Sequence, residues 1–286
     1  MIIGSPRATY IYLMGGKMIK DYFGKDASSL NNKSLWLLDM DGTIYQENRL
    51  FDGTLDFLDK IKRNNGKYVF ITNNSSKSVN DYIDKIKSMG IDAEYDDFFT
   101  SSQATALFLN DKYKNKKIYC QGTKSLVDEL KSFGVNVTVE LEDDIDVVLV
   151  GFDNEMTSQK LRNTCELLTL RDLPFYATNM DLVCPVSFGY VPDCGSICEM
   201  IYNATKKRPI FIGKPKPTMI EYCIKKFNKN ASDTVVVGDR LYTDILSAVN
   251  ANVDSICVLS GEATLEDINS SEFKPTYLFN SIKDLL

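Results

Sequence analysis

Leu35-Trp36-Leu37-Leu38-Asp39-Met40-Asp41-Gly42-Thr43 is the stretch that decides how the chain folds. Its apolar run has the character of a buried strand and stops at two carboxylates one residue apart, followed by a glycine. In an open α/β sheet, chemistry gathers in the crevice outside the carboxyl ends of the strands. Asp39 is therefore expected at a strand tip and Asp41 just beyond it, both facing one crevice. Such a pair can hold a divalent cation, attack an electrophile and move a proton. Asp and Gly are also ordinary turn residues, so a plain strand-to-turn transition fits this stretch equally well by itself.

The surrounding pattern favours the crevice. Residues 51–65 read as a helix with Leu55, Leu58 and Ile61 inward, closed by Asn64-Asn65-Gly66. Residues 67–72 form a second strand ending in small polar residues. Residues 78–89 are a helix capped by Ser78 and Asp81, with Val79, Ile83 and Ile86 as its inner stripe and Gly90 as its stop. A brief strand at 98–102 leads into a helix through Phe108. This alternation of strands and helices predicts a parallel sheet wrapped by helices.

The lysine-rich residues 111–117 read as a linker. Beyond it, strands at 117–120, 135–139, 147–150 and 175–177 alternate with helices at 125–133 and 158–170, enough for a second α/β unit with its own core. A helix at 195–204 and the basic hinge Lys206-Lys207-Arg208-Pro209 lead back to a strand at 210–212. The remainder alternates again: helix 218–227, strand 234–237, helix 241–249, strand 255–259, strand 277–279 and a terminal helix. The expected division is a leader over 1–32, core over 33–110, an inserted domain over 111–208 and core again over 209–286.

Composition narrows the chemistry. The 286 residues contain no histidine, which removes serine–histidine and cysteine–histidine catalysis and most zinc sites and leaves carboxylates and lysines. The net charge of −6 offers no basic surface for nucleic acid. Seven cysteines, odd in number and scattered, point to a reducing compartment, with the cytoplasm as the default. Cys184, Cys194 and Cys198 lack a fourth ligand and the usual pair spacing for a metal, so they are expected to be buried free thiols. The apolar run Ile11-Tyr12-Leu13-Met14 is too short to span a bilayer and no convincing signal-cleavage site follows it, so no membrane association is expected.

Asp39-Met40-Asp41-Gly42-Thr43 resembles the first motif of the haloacid dehalogenase superfamily, most of whose members are phosphatases with an aspartate nucleophile and Mg²⁺. Three further motifs resembling that family follow in order: Ile71-Thr72-Asn73-Asn74-Ser75, Gly213-Lys214-Pro215-Lys216-Pro217, and Val237-Gly238-Asp239-Arg240-Leu241-Tyr242-Thr243-Asp244. The likeness runs from about Lys33 to Leu286 and is nearest the p-nitrophenylphosphatase-like branch, which includes phosphoglycolate and pyridoxal phosphate phosphatases. It implies a Rossmann-like parallel sheet core with a large α/β cap inserted after the third core strand.

The same resemblance implies an Mg²⁺-dependent phosphomonoesterase. Phosphoryl transfer asks a protein mainly for charge neutralisation and in-line placement. Asp39 is the candidate nucleophile, forming an aspartyl phosphate, and Asp41 the candidate acid and base. The implied Mg²⁺ ligands are Asp39, the main-chain carbonyl of Asp41, and Asp239, with Asp244 behind them as a partner for Asp239 or Lys214. Thr72 and Asn73, at a strand tip, and Lys214, on a constrained segment, are candidate phosphate ligands. Ala177-Thr178-Asn179-Met180-Asp181 resembles the branch's Thr-Asn-x-Asp stretch, so Asn179 and Asp181 are candidate specificity residues. The expected partner is a small phosphorylated metabolite, with a homodimer through the cap as a further expectation. A phosphotransferase, a phosphonatase and a sensor without turnover are the competing readings. A phosphonatase normally needs a cap lysine that no feature here identifies, and the motif carboxylates a sensor would have lost are all present. A response-regulator-like receiver would leave the insertion unexplained.

Overall fold

The computed structural model describes residues 18–286; the run Ile11–Met14 lies outside them. The core is a six-stranded sheet in the order Tyr277–Phe279, Asp254–Val258, Thr234–Gly238, Leu35–Leu38, Lys67–Thr72, Phe98–Thr100. Every pairing in it is parallel. Leu35–Leu38 is buried along its whole length, because both faces of the sheet are covered. Trp36 and Leu38 pack on one face with Phe57, Ile61 and Ile86. Leu35 and Leu37 pack on the other with Leu109, Met219 and Ile220. Leu38 is in register with Val237 on one side and Phe70 on the other, which brings Asp39, Thr72 and Asp239 to one end of the sheet.

The helices differ from expectation in detail. Thr54–Arg63 buries Thr54, Phe57, Leu58 and Ile61, a spacing of three, four and seven residues, whereas Leu55 is 47% exposed. Val79–Ser88 carries the expected Ser78–Asp81 capping box, with Tyr82 rather than Ile83 fully buried beside Ile86. Ser101–Lys112 extends past Phe108 into the lysine-rich stretch, since Thr100 and Gln103 cap it and Leu109 still has a core to enter.

The inserted unit holds a five-stranded sheet in the order Ile210–Phe211, Phe175–Ala177, Val147–Val150, Ile118–Gln121, Val137–Thr138. Ile210–Phe211 was expected at the return to the core, yet Ile210 is in register with Tyr176 of this second sheet. Ile212 and Gly213 N–H go on to donate to the Ala177 and Thr178 carbonyls at 3.0 and 2.8 Å, so the chain leaves the second sheet after Gly213, not at residue 209. Residues 18–32 likewise do not form a separate leader: Ile19, Ala27 and Leu30 are buried with Trp36 and Tyr277, and Tyr22 N–H donates to the Leu278 carbonyl at 2.6 Å.

The sequence reading overlooked several elements. These are the short hairpin Tyr45–Gln46 with Arg49–Leu50, the antiparallel hairpin Val183–Val186 with Gly189–Pro192, and the helix Leu265–Ser270. The expected helix at 241–249 is a π-turn, Leu241–Ile245, running into Leu246–Asn250, and the expected terminal helix is the 3₁₀ turn Ile282–Leu285. All seven cysteines are unpaired, and of the trio Cys194 and Cys198 are buried while Cys184 is half-buried. No helix among the described residues is long and apolar enough to cross a membrane.

Candidate active site

The central strand hands Asp39 to the crevice while the ladder is still intact, its N–H donating to the Val237 carbonyl at 2.8 Å. The chain then turns sharply around the Met40 carbonyl, which accepts from Ile44 N–H at 2.8 Å and from Thr43 and Tyr45 N–H at 3.2 Å. Gly42 has φ +86°, and a Cβ there would lie 2.3 Å from Asp239 Oδ2. Gly261 is under the same constraint, with a Cβ 2.0 Å from that oxygen. Two backbones therefore approach the Asp239 carboxylate as only glycine permits.

Lys214 is buried beneath the cleft. Its ammonium lies 2.6 Å from Asp39 Oδ1 and 2.6 Å from Asp244 Oδ1. Asn73 clamps the lysine backbone from both sides, accepting from Lys214 N–H at 2.8 Å and donating to the Lys214 carbonyl at 3.0 Å. Asp244 has both oxygens engaged, the second by Arg240 N–H at 3.2 Å. Asp239 accepts from Glu262 N–H at 2.8 Å.

Oxygens of Asp39, Asp239 and Asp244 lie within 4.8 Å of one another. Burial, and next the charge of Asp244, holds the Asp39 carboxyl well above the usual carboxylate range, against the pull of Lys214. Burial and Asp244 likewise push Asp239 up to about 6. For Lys214, burial works against the charge but the two carboxylates outweigh it, so the ammonium is held charged. Asp39 and Asp244 share the one buried ammonium, and Arg240, whose Nε lies 2.9 Å from Glu262 Oε2, adds a second positive charge that acts on Asp39 and Asp239. This excess of hard oxygen donors suits Mg²⁺, which takes carboxylates and waters.

Asp41 sits at the rim with its side chain 47% exposed, accepting from the Tyr45 hydroxyl at 3.2 Å and facing Lys85 Nζ at 3.7 Å. Thr72 lines the cleft beside Asn73. Of the two cap candidates, Asp181 lines the cleft and accepts from Asn73 Nδ2 at 3.2 Å. Asn179 does not line it: fully buried, it donates to the Asn73 carbonyl at 2.8 Å and ties the inserted unit to the core. Arg240, Asp193 and the hairpin residues Val183, Cys184 and Pro185 also line the cleft. Sequence reasoning gave none of them a role. Arg240 stood inside a quoted motif and was legible there, whereas Asp193 carries only the generic signal of a helix cap.

The haloacid dehalogenase-like hydrolase family model matches residues 36–136, and a HAD-hydrolase-like model matches residues 211–285. An acid sugar phosphatase of Staphylococcus saprophyticus is 33% identical over 90% of this chain and 98% of its own length. Among solved structures, a 4-nitrophenylphosphatase from Thermotoga maritima is 37% identical with a TM-score of 0.85, covering 90% of this chain and 97% of that one. NagD from E. coli is 31% identical with a TM-score of 0.80, covering 88% and 97%. A glycerol phosphate phosphatase from Mycobacterium tuberculosis, in complex with magnesium, is 26% identical with a TM-score of 0.84, covering 90% and 77%. With this fold and cleft, the protein is an enzyme that hydrolyses phosphoric monoesters. The chain belongs to the haloacid dehalogenase-like hydrolases and resembles their p-nitrophenylphosphatase and NagD-type members.

Proposed function

We propose that the enzyme is a Mg²⁺-dependent phosphomonoesterase that acts on small phosphorylated metabolites through an aspartyl-phosphate intermediate on Asp39. The observation that carries this reading is the placement of Asp39 against Lys214 in a walled cleft, with Asp239 in reach. Asp39 attacks phosphorus in line, and the leaving oxygen departs with a proton from Asp41. Asp41 then takes a proton from the water that opens the acyl phosphate. Lys214, Thr72 and main-chain N–H groups near Asn73 bind the non-bridging oxygens, as a developing phosphoryl charge requires. Asp39, the Asp41 carbonyl and Asp239 would hold Mg²⁺, which when bound supplies the charge that lets a dianionic phosphate approach two carboxylates. Asp244 positions Lys214.

A cleft covered by an inserted domain favours small substrates, and seven unpaired cysteines suit a reducing cytoplasm. The test is a panel of sugar phosphates, phosphoglycolate, pyridoxal phosphate, nucleotides and p-nitrophenyl phosphate, assayed with Mg²⁺ and with EDTA. Phosphate release that requires Mg²⁺ is expected; undiminished release in EDTA overturns the metal reading.

A further inference from the structure

Arg240 lines the cleft with its side chain 18% exposed, and its hydrogen-bonding capacity is unspent. The buried Nε has no hydrogen-bond partner; Glu262 Oε2 stands 2.9 Å away as an ion pair without making one. A guanidinium carries five N–H donors in a planar fork and stays protonated. Burying such donors without acceptors is costly unless a ligand completes them. The placement of this arginine is nonetheless fixed. Its own N–H donates to Asp244 Oδ2 at 3.2 Å, while Oδ1 of the same carboxylate holds the Lys214 ammonium at 2.6 Å. Asp244 thus anchors both cations of the inner cleft.

A phosphoryl group entering the cleft brings negative charge and three non-bridging oxygens. Lys214 has three donors and turns two of them to Asp39 and Asp244, which leaves one. The guanidinium supplies what is missing, because its fork matches two oxygens of one phosphate. Its neighbours place it at the reacting end of the cleft. Burial opposes its charge, and of the groups that favour the charge Asp39 acts most strongly, ahead of Asp239 and Glu262. A cation this close to the nucleophile meets the phosphoryl group before it meets any leaving group.

We propose that Arg240 is a catalytic residue that grips the non-bridging oxygens of the phosphoryl group during its transfer to Asp39. The inference rests on the phosphomonoesterase reading above. The bond from phosphorus to the leaving oxygen breaks as the bond to Asp39 forms, and the guanidinium keeps its protons throughout. Its contribution is charge and directed hydrogen bonds, present before the reaction begins. Because every phosphomonoester shares the group it grips, the arginine does not discriminate between leaving groups.

The test measures kcat/KM for p-nitrophenyl phosphate and for ethyl phosphate with Mg²⁺, and the inhibition constant of inorganic phosphate, in wild type, Arg240→Ala and Arg240→Lys. In Arg240→Ala, kcat/KM is expected to fall about 10²-fold or more, alike for both substrates, and the phosphate constant to rise about tenfold. Arg240→Lys keeps the charge and loses the fork, so about a tenfold fall in both is expected, with weaker phosphate binding. It carries the test if the alanine variant folds poorly. An unchanged phosphate constant, or a loss confined to one of the two substrates, overturns the inference; the second result would make Arg240 a reader of the leaving group. Failure of the wild type to hydrolyse p-nitrophenyl phosphate with Mg²⁺ would overturn the phosphomonoesterase reading itself. An active wild type, silenced by Asp39→Asn but matched by both Arg240 variants, would overturn the Arg240 inference alone.

Discussion

The ammonium of Lys214 lies 2.6 Å from Asp39 Oδ1 although the two residues are 175 positions apart in the chain. Asp39 is delivered by the central strand of the core. Lys214 comes from the segment where the chain leaves the second sheet, and Asn73 grips its backbone. The inserted domain and the nucleophile are thus coupled through one buried lysine.

Asp39→Asn preserves volume and removes the nucleophile, so turnover should fall by about 10³-fold or more. Lys214 keeps Asp244 as a partner, and the buried charge being removed is an unfavourable one, so the melting temperature should not drop. Activity assays and thermal melts of one preparation check both halves. A fluoride-based phosphate mimic should be trapped by the wild type only with Mg²⁺.

Asp41→Asn keeps the main-chain carbonyl but loses the proton donor. Its rate should fall by about 10²–10⁴-fold, most for poor leaving groups. Asp239→Asn should instead raise the Mg²⁺ concentration for half-maximal activity. Mg²⁺ titrations on p-nitrophenyl phosphate and an alkyl phosphate separate the roles; equal metal dependence in the two variants would refute the division.

Gly261→Ala places a methyl group against Asp239 Oδ2, where an ideal Cβ lies 2.0 Å away. The carboxylate must move, so half-maximal Mg²⁺ should rise about tenfold although no ligand has been replaced. Unchanged metal dependence, with unchanged stability, would show that this loop yields instead.

Asn179 and Asp181, which the sequence groups together, should separate. Asn179→Ala removes one of two donors to the Asn73 carbonyl, Ser101 Oγ remaining at 2.6 Å, and leaves Asp181 N–H without its acceptor, so it should cost about 1–3 kcal/mol of stability, with activity lost evenly across substrates. Asp181→Ala should re-order the substrate panel. Parallel behaviour in kinetics and melting would contradict the assignment.

Stability should report on Asp193. Its carboxyl is held at about 7 in the folded chain by burial, above its ordinary value. A carboxyl with a raised folded pKa contributes stability that is fully present below the unfolded value and lost as pH rises through the folded one. Wild type should therefore lose stability relative to Asp193→Asn between pH 5 and pH 8, by up to about 2 kcal/mol. Denaturant melts of both proteins across that range measure the difference.

The sequence by itself determined the parallel core, and the resemblance of four of its motifs to one family singled out Asp39, Thr72, Asn73, Lys214, Asp239 and Asp244, which the fold gathers around one cleft. Strands buried on both faces read as unbroken apolar runs, and polar residues at their carboxyl ends stand out against them. Tertiary structure alone decided that Ile210–Phe211 belongs to the second sheet, because a two-residue strand has no periodicity and takes its sheet from the partner it meets. It also decided that Leu55 faces water, that Asn179 is a tie between domains, and that Asp193 stands beside Asp181 in the cleft. Each depends on what packs opposite the side chain. For Asp193 the deciding contact is the missing Cβ of Gly195 against the Met180 carbonyl, a proximity that no local pattern encodes.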